Sequence, residues 1–380
     1  MYGQLLKDGI KMANKYEQLA DILREKIRLG TYQEGDAIPS EATLQEEFHY
    51  SRHTVRQAIA VLVNEGYLRK ERGSGTYVSK PETVNHKNRK TIGIIMTYLS
   101  DYIFPSIMRG VEQTLREQGY SLLLGSTNND HEQERACLQQ MMDQGVDGLI
   151  VEPTKSSQYN PNLAYYVALQ EAGIPLVMIN AYYEELDLPH ICVNDTRSGF
   201  LATNYLLEQQ HQQLMMITKI DDLQGKYRMK GFVKALTQAK RTFAAEDVLT
   251  YTTETKEAVI EQAIQRLTAA DNQVTGIVCY NDEIAHRLIQ ALTAAGKNVP
   301  TDFSIVGNDD SPLSTLSTPT ITTLTHPKEA MGELAAQWIT TGKATEAQRF
   351  YFEPELIVRG SVNNQKGEKE DDATSKASNY

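Results

Sequence analysis

Tyr50-Ser51-Arg52-His53-Thr54-Val55-Arg56-Gln57-Ala58-Ile59, followed by Gly66-Tyr67-Leu68 and Gly73-Ser74-Gly75-Thr76-Tyr77, is the stretch whose reading decides the fold. Ser51 is a good helix N-cap, and apolar residues recur at helical spacing through Val55, Ala58, Ile59, Leu62 and Val63 until Gly66 stops the run. That stripe predicts a buried face. The other side carries His53, Arg56 and Gln57, with Arg52 in the first turn, so the helix start holds long donors able to reach base edges in a DNA groove. Upstream, Ile38-Pro39-Ser40-Glu41 opens a short helix through Leu44 and Phe48, and residues 48–51 make the turn between the two helices. Downstream, residues 67–72 and 76–79 read as two short strands around a Gly-Ser-Gly tip, whose small side chains allow close approach to phosphates. A charged, solvated helix beside a chance hairpin would not need cap, turn and ribbon in this order.

Charge is distributed to match. The chain has 380 residues and a net charge of −11. The first 90 residues hold 15 Lys and Arg against 12 Asp and Glu, which leaves 23 against 37 for the remainder. Residues 51–80 hold six basic side chains and two acidic ones, so positive charge gathers where the helix and ribbon are expected. An acidic body discourages loose attachment to DNA elsewhere. Cys137, Cys192 and Cys279 are far apart and share no metal-like spacing with histidine, which fits small buried hydrophobes in a reducing compartment. There is no export signal and no apolar run near the ~18 residues of a membrane span, so a cytoplasmic protein without membrane contact is expected.

The N-terminal elements resemble the GntR-type winged helix of bacterial transcription regulators, over residues 14–80. Lys15-Tyr16-Glu17-Gln18-Leu19-Ala20 begins the first helix, Gly30-Thr31-Tyr32 closes it, and Gly35-Asp36-Ala37-Ile38-Pro39-Ser40-Glu41 fits the loop before the second. The resemblance implies that Glu41, Ser51, Arg52, Thr54 and Arg56 contact or orient on operator DNA, and that Gly73, Ser74 and Gly75 form the wing tip. His53 and Gln57 are candidates from the helix face itself.

Residues 81–90 are polar and aperiodic, a linker; residues 364–380, rich in Lys, Glu, Asp and Ser, read as a disordered tail. Between them the pattern changes to short apolar runs alternating with amphipathic stretches. Runs at 92–96, 121–125, 148–151 and 175–179, then at 214–217, 276–279 and 303–306, predict buried parallel strands. Helices are expected near 107–118, 132–144, 163–172, 197–208, 227–238, 255–269 and 283–295. This predicts an α/β body of two doubly wound lobes over residues 91–363, with ligand at the carboxyl ends of the strands.

Polar and aromatic residues at those ends suit a sugar. Carboxylates and amides pair with vicinal hydroxyls, a guanidinium adds a fork of donors, and an aromatic ring covers an apolar sugar face. The candidates are Tyr102 or Phe104 for the ring, with Glu152, Asn180, Arg228, Asn281, Asp309 and His326 for the hydroxyls. Some have duller alternatives: Asn281 and Asp282 can cap the next helix, and Asp309 or Asp310 can shape a turn. Gly225-Lys226-Tyr227-Arg228-Met229-Lys230-Gly231-Phe232, Cys279-Tyr280-Asn281-Asp282-Glu283, Ile305-Val306-Gly307-Asn308-Asp309-Asp310 and Leu324-Thr325-His326-Pro327 resemble the sensing domain of the lactose- and galactose-repressor family. That domain is related in fold to periplasmic sugar-binding proteins. The resemblance implies sugar contacts for Arg228, Asn281 and Asp309, and a homodimer. Together the two resemblances imply a repressor released by a free sugar, with L-arabinose the expected one; another sugar, a sugar phosphate, or a non-regulatory sugar-binding protein are the rivals. No G-x-S-x-G elbow, Walker loop, H-E-x-x-H helix or G-x-G-x-x-G fingerprint occurs, so no enzyme, catalytic residue, cofactor or metal is expected.

Overall fold

The computed structural model describes residues 15–28, 31–71, 75–79, 90–99, 102–342 and 348–365. The chain divides into two compact units, Met1–Asn88 and Arg89–Tyr380. The expected wing tip at Gly73 and Ser74, most of the linker, and residues 366–380 of the tail lie outside the described residues.

The first unit is three helices and a ribbon: α1 (Lys15–Arg28), α2 (Glu41–Phe48), α3 (Arg52–Asn64), β1 (Leu68–Glu71) and β2 (Gly75–Val78), the strands antiparallel. Val55, Ala58, Ile59 and Leu62 of α3 are buried against Leu19 and Leu23 of α1, Leu44 of α2, and Leu68 and Val78 of the ribbon, which is the face the apolar spacing predicts. Ser40 and Ser51 start α2 and α3 as N-caps, each accepting from the backbone N–H three residues on at 3.2 Å. A cap of this kind contributes about 1 kcal/mol. Gly66, at φ +81°, turns the chain out of α3 in a conformation a β-carbon would disfavour.

The second unit begins with β3 (Lys90–Met96), α4 (Phe104–Glu117), β4 (Tyr120–Ser126), α5 (His131–Gln144), β5 (Gly148–Val151), α6 (Leu163–Glu171), β6 (Leu176–Ile179) and β7 (His190–Val193). The chain then crosses into a second lobe of α7 (Asp195–Glu208), β8 (Leu214–Lys219), α8 (Leu223–Gln238), β9 (Val248–Tyr251), α9 (Lys256–Leu267), β10 (Gly276–Cys279), α10 (Asp282–Ala294), β11 (Ser304–Val306), α11 (Pro312–Leu316) and β12 (Thr323–Leu324). It returns to the first lobe for α12 (Lys328–Thr341) and β13 (Arg349–Phe352), and crosses once more to pair β14 (Leu356–Ile357) with β12. The first sheet has the order β13-β7-β6-β5-β3-β4 and the second β11-β10-β8-β9, both parallel. Helices cover both sheets, which is why β5, β6 and β10 read as unbroken apolar runs.

Three crossings make the hinge, at Asn194, at 325–327 and at 353–355. They are laced together, with Thr325 N–H donating to the Glu355 carbonyl and Asn194 N–H to the Phe352 carbonyl, both at 2.9 Å. Within the second lobe, α7 and α8 touch backbone to backbone. A β-carbon at Gly199 would lie 2.0 Å from the Arg228 carbonyl and one at Gly231 2.2 Å from that of Thr196, so glycine at both positions permits the approach that sets Arg228 beside Asp195. The described chain continues to Gln365, whose N–H bonds the Gln209 carbonyl at 3.1 Å.

Candidate functional site

In the first unit, α3 presents Arg52 and Arg56 one turn apart, on the same face as Glu41 at the start of α2. Glu41 Oε2 accepts from Arg56 Nε at 2.8 Å and lies 3.6 Å from Arg52 Nε. Partial burial works against the Glu41 charge, yet Arg56 and then Arg52 hold its carboxyl below the usual range. The arginines are 66% and 55% exposed, so their guanidinium tips remain in solvent. His53 and Gln57 are exposed beside them, Thr54 is half-buried, and Gly75 opens β2. Ser51 already serves as the cap of α3, the local role its residue type predicts.

In the second unit a cleft of about 780 Å³ lies between the lobes, at the carboxyl ends of the strands. Tyr102, Phe104, Glu152, Arg228, Asn281, Asp309 and His326 all line it. Asn180 does not; it stands behind the wall and organises it. Its Nδ2 donates to Glu152 Oε1 at 2.7 Å, and its Oδ1 accepts from His326 Nε2 at 3.0 Å. Glu152 Oε2 accepts from the Thr97 N–H at 2.9 Å and from the Thr97 hydroxyl. Burial raises the Glu152 carboxyl above its ordinary value, although these donors oppose it.

Arg228, 5% exposed, dominates the opposite wall. Its Nε donates to Asp195 at 2.8 Å, one terminal nitrogen to the Tyr280 carbonyl at 2.6 Å and the other to Asp309 at 3.1 Å, while the guanidinium lies 4.9 Å from the Tyr280 ring centre. Burial pushes Asp195 up to about 6, only partly offset by Arg228. For Asp309 burial is outweighed by Arg228, with His326, Tyr102 and Asn308 assisting, and its carboxyl stays below the usual range. The Tyr102 hydroxyl reaches from the first lobe to Asp309 Oδ2 at 2.8 Å and accepts from the Asp282 N–H at 3.2 Å. Its hydroxyl is therefore a strut between lobes, and its ring is what it offers the cleft. Phe104 instead packs on Tyr98, ring centres 5.7 Å apart. Tyr102, Asn180 and Asp309 all have positive φ, at 66°, 64° and 94°. Such strain in non-glycine residues gathers at functional sites.

For Asn281 the duller alternative holds at the same time as the cleft position, whereas Asp282 neither caps α10 nor lines the cleft. Asn281 Oδ1 caps α10, accepting from the Ile284 N–H at 3.0 Å, which leaves its amide nitrogen for a ligand. Asp282 is structural: it accepts from the Ser311 N–H at 2.7 Å and the Thr323 hydroxyl at 2.6 Å, and burial pushes it up to about 7.

Arg228 is the one lysine or arginine among the candidates drawn from the sequence for the cleft, and the structure adds two more. Lys219 and Lys256 also line the cleft. Each is compensated: Lys219 bonds Asp222 at 2.6 Å and lies 3.4 Å from Asp221, and Lys256 bonds Glu283 at 2.9 Å. The signal for Lys219 was present, since it stands at a strand end; the apolar run stops at Ile217, but β8 continues two residues further.

His326 carries a pH prediction. Burial pushes its imidazole down to about 4, with Asp309 opposing and Lys328 and Arg228 assisting. It is thus neutral near pH 7, donating from Nε2, and its Nδ1 has no partner among the described residues. A folded value below the unfolded one, near 6.5, means that its stabilising contribution is full above pH 6.5 and is lost as pH falls from there through about 4. Between pH 7 and pH 4.5 the loss should be about 2 to 3 kcal/mol. His326→Gln should show correspondingly less acid sensitivity in urea unfolding; equal sensitivity in both proteins would contradict the assignment.

Comparison with known proteins agrees with both units. Residues 15–78 match the family described as bacterial regulatory proteins, gntR family, and residues 203–362 match the periplasmic binding protein-like domain. The transcription regulator CcpA of Lactococcus lactis shares the fold, with a TM-score of 0.64 at 23% identity, over 73% of this chain and all of that one. A DNA-binding head of the gntR type and a periplasmic-binding-like body define a bacterial transcription regulator. The chain is 43% identical to the arabinose metabolism transcriptional repressor of Geobacillus stearothermophilus, over 93% of this chain and 98% of that protein. It is also 43% identical to the repressor of the same description from Halalkalibacterium halodurans, over 94% and 99%. It belongs to the family of arabinose metabolism transcriptional repressors, which are regulators and not enzymes. Among the described residues no helix is long and apolar enough to cross a membrane.

Proposed function

We propose that this repressor holds operator DNA through α3 and the β1–β2 ribbon, as a homodimer in the cytoplasm, and releases it when free L-arabinose enters the cleft. The observation that carries this reading is the charge balance of the cleft wall. Lys219, Arg228 and Lys256 each bond a carboxylate, so among the described residues that line the cleft no cation is left uncompensated to hold a phosphate, while carboxylates, amides and a neutral imidazole face the space. A neutral polyhydroxy ligand fits that balance, and the relatives' description supports the pentose.

In this reading the free N–H groups of Arg228 and the amide of Asn281 donate to hydroxyls, Glu152, Asp309 and the Lys219–Asp222 pair add further bonds, and the Tyr102 ring covers the sugar's apolar face. The His326 Nδ1 accepts near the hinge, with Asn180 fixing the tautomer. Glu41, Ser51, Arg52, His53, Thr54, Arg56, Gln57 and the tip at 73–75 form the DNA surface. Sugar favours one closure of the lobes and so shifts a population of dimers away from the DNA-competent state. Taking that state from nearly all to nearly none requires a differential affinity of roughly 5.5 kcal/mol.

A thermal-shift panel of free sugars and sugar phosphates tests the choice. L-Arabinose at 100 times its dissociation constant should stabilise the protein by about 2.7 kcal/mol. Stabilisation by phosphorylated sugars alone would reverse the assignment.

A further inference from the structure

Helix α8, which carries Arg228, begins without a cap of its own. Asp222 occupies the N-cap position but makes no side-chain capping bond; its Oδ2 is taken by Lys219 at 2.6 Å and by the Tyr280 hydroxyl at 3.2 Å. The first N–H of the helix, that of Leu223, donates instead to the Ser156 hydroxyl at 2.9 Å. Ser156 belongs to the other lobe, on the segment that follows β5. Its neighbour Ser157 reaches the same place, its N–H donating to the Asp221 carbonyl at 3.2 Å and its hydroxyl to the Ile220 carbonyl at 2.5 Å. Lys155 Nζ bonds Glu254 of the second lobe at 2.5 Å. Residues 155–157 thus form the first-lobe half of a clamp on the start of α8.

What holds this segment is a fully buried carboxylate. Glu134 of α5 accepts from the hydroxyls of Tyr166 at 2.7 Å and Tyr183 at 2.5 Å, and from the amide nitrogens of Asn160 and Asn162, both at 2.8 Å. The Tyr183 hydroxyl in turn accepts from the Thr154 N–H at 2.8 Å, and Asn160 Oδ1 from the Asn162 N–H at 2.7 Å. Both ends of residues 154–162 therefore hang on one side chain. A buried carboxylate left with fewer donors is costly, so this arrangement fixes the segment firmly. Neither Ser156 nor Glu134 lines the cleft.

We infer that Ser156, positioned through Glu134, is a helix cap that one lobe supplies to the other only while the cleft is closed, so that effector binding and the capping of α8 are a single event. Opening the lobes would leave the Leu223 N–H to water and loosen the first turn of the helix that presents Arg228. Ser156 and Glu134 act here as positioning residues for effector binding, which rests on the reading of the cleft proposed above.

The test uses the full-length protein with L-arabinose as probe. Ser156→Ala should raise the dissociation constant for sugar about fivefold, the size of a lost cap, while Ser156→Thr, which can still cap, should stay near wild type. Glu134→Gln should shift it in the same direction, and the double variant by less than the product of the two. Operator affinity without sugar should be unchanged in the serine variants. Amide hydrogen exchange adds a readout that a merely structural role would not move: sugar should slow exchange at the start of α8 in wild type and Ser156→Thr but not in Ser156→Ala. Wild type that binds sugar no better than Ser156→Ala, or slowing that is equal in both, overturns the inference. Wild type that binds no sugar overturns the cleft reading, and this inference with it.

Discussion

Arg228→Ala is expected to leave a repressor deaf to sugar, with no measurable effector binding in calorimetry and a fold weakened by about 3 to 5 kcal/mol. Both effects follow from the same geometry. Arg228 bridges two buried carboxylates, Asp195 and Asp309, so removing it deletes the proposed fork of sugar donors and strands two charges in a low-dielectric site. Arg228→Lys separates the effects: it keeps a charge for the carboxylates but cannot reproduce the planar fork, so stability should largely return and sugar binding should not. The folded fraction of either variant should hold operator DNA near the wild-type level. A variant that still leaves DNA at the normal sugar concentration would remove Arg228 from the effector site.

The head should respond independently. Arg52→Ala and Arg56→Ala should each weaken operator binding by about 1 to 3 kcal/mol and relax base preference, with sugar affinity intact. Glu41 holds both side chains, so the two losses should not be strictly additive. Competition between operator and random DNA decides the roles: equal losses on both would assign these arginines to phosphates instead of base edges.

The sequence showed the fold where a strand carries an uninterrupted apolar run and hid it where short length, a polar residue or an exposed face breaks that run. Strands with a continuous apolar run were located, the partly buried edge strand β4 among them; β7, fully buried but short and opened by His190, was missed, as were the edge strands β9 and β13, of which Arg349–Phe352 exposes its arginine and aromatics. Helix α12 escaped for another reason. Its inner face mixes Met331, Trp338 and Ile339 with Gly332, Ala335 and Ala336, so small residues dilute the apolar stripe although all six are packed. In the cleft, the rule that ligands sit at strand ends found Glu152, Asn281 and Asp309, but it could not tell lining from support. Asn180 stands behind the wall because its amide is consumed by Glu152 and His326, a fact of tertiary placement. Asp195 was invisible as a partner because its bond to Arg228 joins α7 to α8, thirty-three residues apart; Lys219, three residues before its partner Asp222, lay within reach of the sequence.

The most direct test of the central claim follows operator-bound protein by fluorescence anisotropy during titration with L-arabinose, in parallel with the 5-phosphate of the same sugar. Release of DNA by the free pentose, with the phosphate needing a much higher concentration, is the predicted outcome. Release by the phosphate at equal or lower concentration, or full retention of DNA at saturating L-arabinose, would contradict the account.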